Sequence, residues 1–247
     1  MILTLHKPAG WTPLEAMEAL RARTPALAGE PIVYAGRLDP MAEGLLLVLT
    51  GADRFALPEH LEHDKDYVAT FLFGVASDTF DALGRLADRA HAPDLAACAA
   101  AVAALAGVHD LPLPAWSAYR VHGRPLHAWA REGRLHEIEL PMRAMRVTAV
   151  HGVAAAPVRA SALVDDVSAR IDRVRGLFRQ DEARADWEHL ASDDPPLVAV
   201  RAALTVTSGT FVRALAQAMG ARLGCGGLLV ALRRTRVGPY AEATIAT

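Results

Sequence analysis

Residues 44–50 read Gly-Leu-Leu-Leu-Val-Leu-Thr, an apolar run short enough to be one strand buried inside the fold. Any fold must wrap other elements around it. Immediately upstream, Tyr34-Ala-Gly-Arg-Leu-Asp-Pro40 sets Arg37 and Asp39 between small residues. Pro40 biases Asp39 away from the helical region and lacks a backbone N–H, so the carboxylate sits on an extended, exposed segment just before the buried strand. Such a segment presents a side chain rigidly. A turn aspartate before proline is the plain alternative, and Arg37 is placed either to point to the same side or to pair with phosphate.

The rest of the chain alternates helix and strand signals without a strict order. Residues 2–6 read as a strand, and Thr12-Pro-Leu-Glu15 is a capping box opening a helix to about Arg23. The aromatic-rich stretch 66–74 is a second strand, ending at Gly74. An alanine-rich helix is expected from Asp94 to Gly107, a short one over 123–133, and strands over 136–140 and 143–150. Residues 161–192 form an amphipathic helical insertion carrying Leu163, Val164, Val167, Ile171, Val174 and Leu177 at helical spacing. Strand returns at 197–207, a helix over 209–224 stops at Gly224, and 227–235 reads as another helix. The mixture favours an α+β fold over a doubly wound sheet.

With 247 residues, 52% of them hydrophobic, the chain has ample core for one large domain or two small ones. It offers no basic leader followed by an apolar run and no apolar stretch of about eighteen residues, so a soluble cytoplasmic protein without membrane contact is expected. Cys98 and Cys225 have no pairing or metal-like spacing and read as free thiols in a reducing compartment. The formal charge is only −2, yet Arg120, Arg124, Arg131, Arg134, Arg143 and Arg146 outnumber Glu132, Glu137 and Glu139, and Arg213, Arg222, Arg233, Arg234 and Arg236 crowd the tail. Lys7 and Lys65 are the only lysines. Planar guanidinium groups bind phosphate bidentately and stack on bases, although a GC-rich genome produces the same bias.

Phosphate-loop, dinucleotide, nucleophile-elbow, C-x-x-C and H-E-x-x-H signatures are missing. His60 and His63 can share a helix face but lack a third ligand nearby in sequence, so neither metal nor cofactor is expected.

Four segments in order, His6-Lys-Pro-Ala-Gly-Trp-Thr-Pro-Leu-Glu-Ala-Met17, the Gly36-Arg-Leu-Asp-Pro motif, residues 65–86 with their D-T-x-D-x-x-G turn, and residues 208–235, resemble the TruB-type tRNA pseudouridine synthase family. The resemblance spans most of residues 2–240. It implies a pseudouridine synthase fold with a mixed, mostly antiparallel sheet flanked by helices, in one catalytic domain over 1–247. It further implies an isomerase without cofactor, acting on the T-loop uridine at position 55 of tRNA. Asp39 takes the place of the family's essential aspartate, Arg213 that of its active-site arginine, and Tyr67 that of the tyrosine that stacks on the target base. Phe211 stands where a second tyrosine is usual. Residues 111–134 resemble the family's RNA-clamping thumb, with Arg120 and Arg124 as RNA contacts. Lys7 is expected to support the catalytic loop, and Arg233 of the paired arginines to contact RNA.

Three departures accompany the resemblance. Tyr34 replaces a histidine that helps displace the target base, and Arg37 replaces a threonine, as in RsuA- and RluA-type rRNA synthases. Few residues follow Arg236, so the C-terminal PUA domain of many relatives is not expected here. The departures bear on which RNA is bound and not on the reaction; the resemblance implies RNA as partner, the tRNA T-arm first, bound by a monomer. Other readings are a synthase acting on rRNA or another tRNA site, an inactive RNA-binding or RNA-folding protein, and an unrelated aspartate-dependent hydrolase.

Overall fold

The computed structural model describes residues 1–87 and 93–242. Its elements are β1 (Ile2–Lys7), α1 (Pro13–Arg23), β2 (Ile32–Ala35), β3 (Ala42–Thr50), α2 (Leu57–Leu61), β4 (Lys65–Phe73), α3 (Leu95–Ala103), β5 (Gly107–Pro112), α4 (Leu126–Arg131), β6 (Met142–Arg159), α5 (Val164–Ile171), α6 (Gln180–Asp193), β7 (Pro196–Val206), α7 (Val212–Leu223), β8 (Gly227–Val237) and β9 (Tyr240–Ala241). Among the described residues these strands form one sheet in the order β1-β3-β8-β4-β7-β6-β5, with β2 beside β3 and β9 beside β8. The pairings between these strands are antiparallel except β3 with β8, where Ala42–Gly44 lie parallel to Leu232–Arg234. The fold is α+β, as expected.

Period-two alternation sends successive side chains to opposite faces. On β4 and β7, Ala69, Phe71, Phe73, Val200, Ala202 and Leu204 pack against Cys98 and Val102 of α3 and Val212, Leu215 and Met219 of α7. Leu72 and Leu197 point the other way and join Leu228 and Val230 under Val167 and Ile171 of α5 and Ala183, Trp187 and Leu190 of α6. Each face of the central strands thus has its own helical cover.

Local chemistry accounts for the ends of several elements. Thr12 accepts from the Glu15 backbone N–H while Glu15 accepts from the Thr12 N–H, so the capping box is present. Gly224 closes α7 at φ +68°, a left-handed conformation that glycine adopts without penalty.

Several expectations need correction. Residues 227–235 are strand β8, not helix: its first part, Gly227–Leu232, is continuously apolar because Leu228 and Leu229 are buried on opposite faces of the sheet, and periodicity alone does not separate such a strand from a buried helix. Residues 136–140 contain a 3-10 turn at Leu135–Glu137 rather than a strand. There Ile138 and Leu140 pack against the cluster of Leu113, Leu126, Met145 and Ala214. The helix from Asp94 stops at Ala103, and Gly107 opens β5. The 161–192 insertion is helical in two pieces, and Leu177, expected on the apolar face, is 80% exposed in the turn between them. Among the described residues no helix is long and apolar enough to cross a membrane.

Candidate active site

Asp39 lies in the loop between β2 and β3, and two buried cations fix that loop from below. Lys7, at the end of β1, is fully buried and donates Nζ hydrogen bonds to the carbonyls of Pro8 (3.0 Å), Trp11 (2.7 Å), Pro40 (3.4 Å) and Ala42 (2.5 Å). Burial pushes its pKa down from 10.5 to about 7, with Asp39 acting to raise it and Arg234 to lower it further. Arg234, on β8 and 1% exposed, donates to the carbonyls of Leu45 (2.8 Å), Gly36 (3.1 Å) and Arg37 (3.4 Å). The Gly10 N–H adds a hydrogen bond to the Pro40 carbonyl at 2.8 Å. The loop backbone is therefore satisfied by donors from distant parts of the chain.

The carboxylate meets Arg213 from the first turn of α7, Nε to Oδ2 at 2.8 Å. Arg213 is 4% exposed, whereas the Asp39 side chain keeps 35% of its surface open. The guanidinium is held by two further acceptors, the Thr79 carbonyl at 2.7 Å and the Trp116 carbonyl at 3.1 Å. Thr79 belongs to the D-T-x-D turn. Asp81 closes that turn, accepting from Thr79 Oγ1 at 2.6 Å and the Leu83 N–H at 3.0 Å, while Ser77 Oγ donates to the Asp81 carbonyl. Burial holds the Asp81 carboxyl above the usual carboxylate range, against the pull of Arg213. The Leu229 N–H donates to the Phe80 carbonyl and pins the turn to β8.

Asp39, Asp81 and Arg213 line one pocket with Met41, Ala42 and the β8 residues Leu229 to Leu232. It combines a buried cation, a reachable carboxylate and apolar walls. That arrangement holds an oriented, partly open carboxylate against apolar walls.

Other expected site residues lie at varying removes. Tyr67, on β4, is 8% exposed in the apolar cluster that contains Leu38 and Ala42. Phe211 caps the start of α7 with its ring 5.9 Å from the Arg213 guanidinium. Tyr34 packs with Trp11 and Leu20 on the α1 side of β2, and Arg37 is exposed. In the 111–134 segment, Arg120 is exposed and donates to the Gly123 carbonyl, whereas Arg124 pairs with Glu132 and stacks 5.0 Å from Trp129. Arg233 is exposed and paired with Glu242 at 2.8 Å. Arg234, Thr79 and Asp81 carry no expected site role in the sequence although the D-T-x-D turn and the arginine pair are visible there; a strand over 227–235 singles out the buried member of that pair. His60 Nδ1 and His63 Nε2 stand 3.3 Å apart, and among the described residues no group of three or more His, Cys, Asp or Glu is placed to hold a metal.

Residues 26–168 match the family model of the TruB family pseudouridylate synthase N-terminal domain, and residues 213–247 that of the tRNA pseudouridylate synthase B C-terminal domain. The tRNA pseudouridine synthase B of Thermobifida fusca is 38% identical over 250 residues, covering all of this chain and 72% of the relative. That of Leifsonia xyli is 34% identical over 245 residues, covering 97% and 67%. Among solved structures, a Cbf5–Nop10–Gar1 complex superposes with a TM-score of 0.59 at 19% identity, over the whole of this chain and 51% of that one. An H/ACA ribonucleoprotein bound to a substrate RNA containing 2′-deoxyuridine gives 0.58 at 18%, this chain spanning 50% of that one. At such identities the likeness is one of fold.

Proposed function

This chain belongs to the TruB family of pseudouridylate synthases, and from that premise we propose that it isomerises a flipped-out uridine to pseudouridine in RNA, the T-loop uridine at position 55 of tRNA first, with Asp39 as the essential carboxylate. The carrying observation is the 2.8 Å contact between Asp39 and the buried Arg213 inside one pocket. The reaction breaks the N1 glycosidic bond, turns the uracil and joins C5 to C1′; a proton leaves C5, N1 gains one, and no electrons are exchanged. Arg213 aims the carboxylate through the hydrogen bond from its Nε to Asp39 Oδ2. Lys7 and Arg234 keep the loop from yielding when the base enters. The apolar walls, with Tyr67 in the cluster beneath, receive the base, and that contact helps offset the few kcal/mol needed to unstack it from RNA.

Residues 111–134 serve as the RNA-clamping thumb. Tyr119 and Arg120 are exposed there, the pairing of aromatic and basic groups that suits a stem-loop. Asp39→Asn removes the charge and keeps the shape. Pseudouridine formation on a tRNA transcript is expected to fall at least 10²- to 10⁴-fold, about what a positioned acid or base contributes, with RNA affinity changed by no more than a few-fold. Normal turnover by this variant would end the assignment. Mapping pseudouridines in total RNA from cells with and without the gene tests the substrate: loss confined to the T-loop supports tRNA, and loss elsewhere moves the chemistry to another RNA.

A further inference from the structure

We propose that Arg179, in the turn between α5 and α6, is a positioning residue for the Asp39–Arg213 pair, and that the α5–α6 hairpin braces the thumb root against the D-T-x-D turn. The inference rests on Asp39 being the reacting carboxylate, as above.

Arg213 takes its orientation from three acceptors, of which two are main-chain carbonyls, Thr79 and Trp116. These carbonyls lie on separate segments, one between β4 and α3 and one at the root of the thumb. Arg179 touches both. Its Nη1 and Nη2 bind Asp78 Oδ2 at 2.8 Å and Oδ1 at 3.1 Å, next to Thr79 in the chain, and its guanidinium lies 3.9 Å from the centroid of the Trp116 ring. A bidentate carboxylate pair and a ring stack constrain a planar guanidinium in different directions, which a lysine cannot reproduce. Arg179 holds a left-handed backbone conformation, φ +60° and ψ +40°, ahead of α6. Glycine takes that conformation without strain, so what arginine adds is its side chain.

The hairpin carrying Arg179 is itself anchored to the same two segments. Trp187 Nε1 donates to the Ala82 carbonyl at 2.9 Å, Asp186 accepts from Arg85 and from the Leu86 N–H, and Arg131 of the thumb donates to the Leu177 carbonyl at 3.4 Å. Arg179 also falls between the two spans that match the family models, 26–168 and 213–247. The device is thus carried by a part of the chain those models leave unmatched. Movement of the thumb root by about 1 Å would break the Trp116 contact and let Arg213 turn; misplacement on that scale costs on the order of 10²-fold in rate.

The test is Arg179→Met, which keeps the stem and removes the fork. Turnover is expected to fall about 10- to 100-fold, with RNA affinity at fixed salt within about threefold of the parent, since an aiming defect enters kcat and not binding. Asp78→Asn should lower turnover in the parent and add little in the Arg179→Met background. Arg179→Lys, which keeps a charge on Asp78 but loses the stack, should recover only part of the rate, and it carries the comparison if the methionine variant fails to fold. Independently of activity, amide hydrogen exchange in residues 113–119 should accelerate in Arg179→Met while β4 and β7 stay protected. Turnover within twofold of the parent, a loss of affinity with kcat intact, additive effects with Asp78→Asn, or unchanged exchange would each overturn the brace. A parent protein that forms no pseudouridine would instead overturn the proposed reaction, and the exchange comparison would still decide the brace.

Discussion

Lys7 is the residue whose surroundings are most at odds with its chemistry: an ammonium with three N–H groups, fully buried, facing four carbonyls and titrating near 7. Below pH 7 both folded and unfolded chains carry its proton. Between about 7 and 10.5 the unfolded chain keeps the proton while the folded one sheds it, so stability due to this group rises with pH across that window. Comparing Lys7→Met with the parent by urea unfolding at pH 6.5, 7.5 and 8.5, the parent's relative stability should grow by up to about 1.4 kcal/mol per unit above pH 7. A pH-independent difference would show that the ammonium stays charged in the folded loop. Leu-Asp-Pro by itself indicates how Asp39 is presented, whereas its contact with Arg213 follows from the family resemblance and not from any local signal. Of the paired arginines near the chain end, Arg233 was expected to act and Arg234 proved to be the one tied to the Asp39 loop. That choice depends on strand register, which an element read as helix conceals.

At the level of elements, the site depends on the parallel contact of β3 with β8, and Gly44 is what lets them meet. A Cβ there would lie 2.3 Å from the Arg234 carbonyl oxygen and 2.8 Å from its nitrogen, at φ +103°. Neither backbone atom is free to retreat. Gly44→Ala is expected to cost about 1–3 kcal/mol in overpacking and about 1–3 kcal/mol in backbone strain, lowering the melting temperature by several degrees or more. Gly29→Ala is a control for strain alone, because Gly29 has φ +75° but nothing within 4 Å of its added Cβ. Equal effects of the two substitutions would remove the steric argument. The capping box, β3, β4 and α7 could be read from sequence because each carries a local signal. β8 and the 3-10 turn at Leu135–Glu137 could not. Their backbone is decided by what packs around them: β8 lies between β3 and β4, and the turn is held by the Leu113–Leu126 cluster.

For the whole molecule the open point is whether α5 and α6 are decoration, which the sequence left undecided. Topology would permit their loss. β6 and β7 are antiparallel neighbours whose register ends with Arg159 opposite Pro196, so a two-residue turn would close them. Packing argues otherwise. Trp187 and Ile171 are fully buried against Leu72, Leu228 and Val230, residues of the central strands whose other cover, α3 and α7, lies on the opposite face. Replacing residues 160–195 by Asn-Gly would open that face to water, and burying an aliphatic or aromatic side chain is worth roughly 1.5–3 kcal/mol each. The shortened chain should bind a hydrophobic dye, aggregate on concentration and melt well below the parent or not fold cooperatively. A soluble product with the parent's melting temperature would make the hairpin dispensable to the fold, and any turnover defect in it would then report on Arg179 and the thumb root alone.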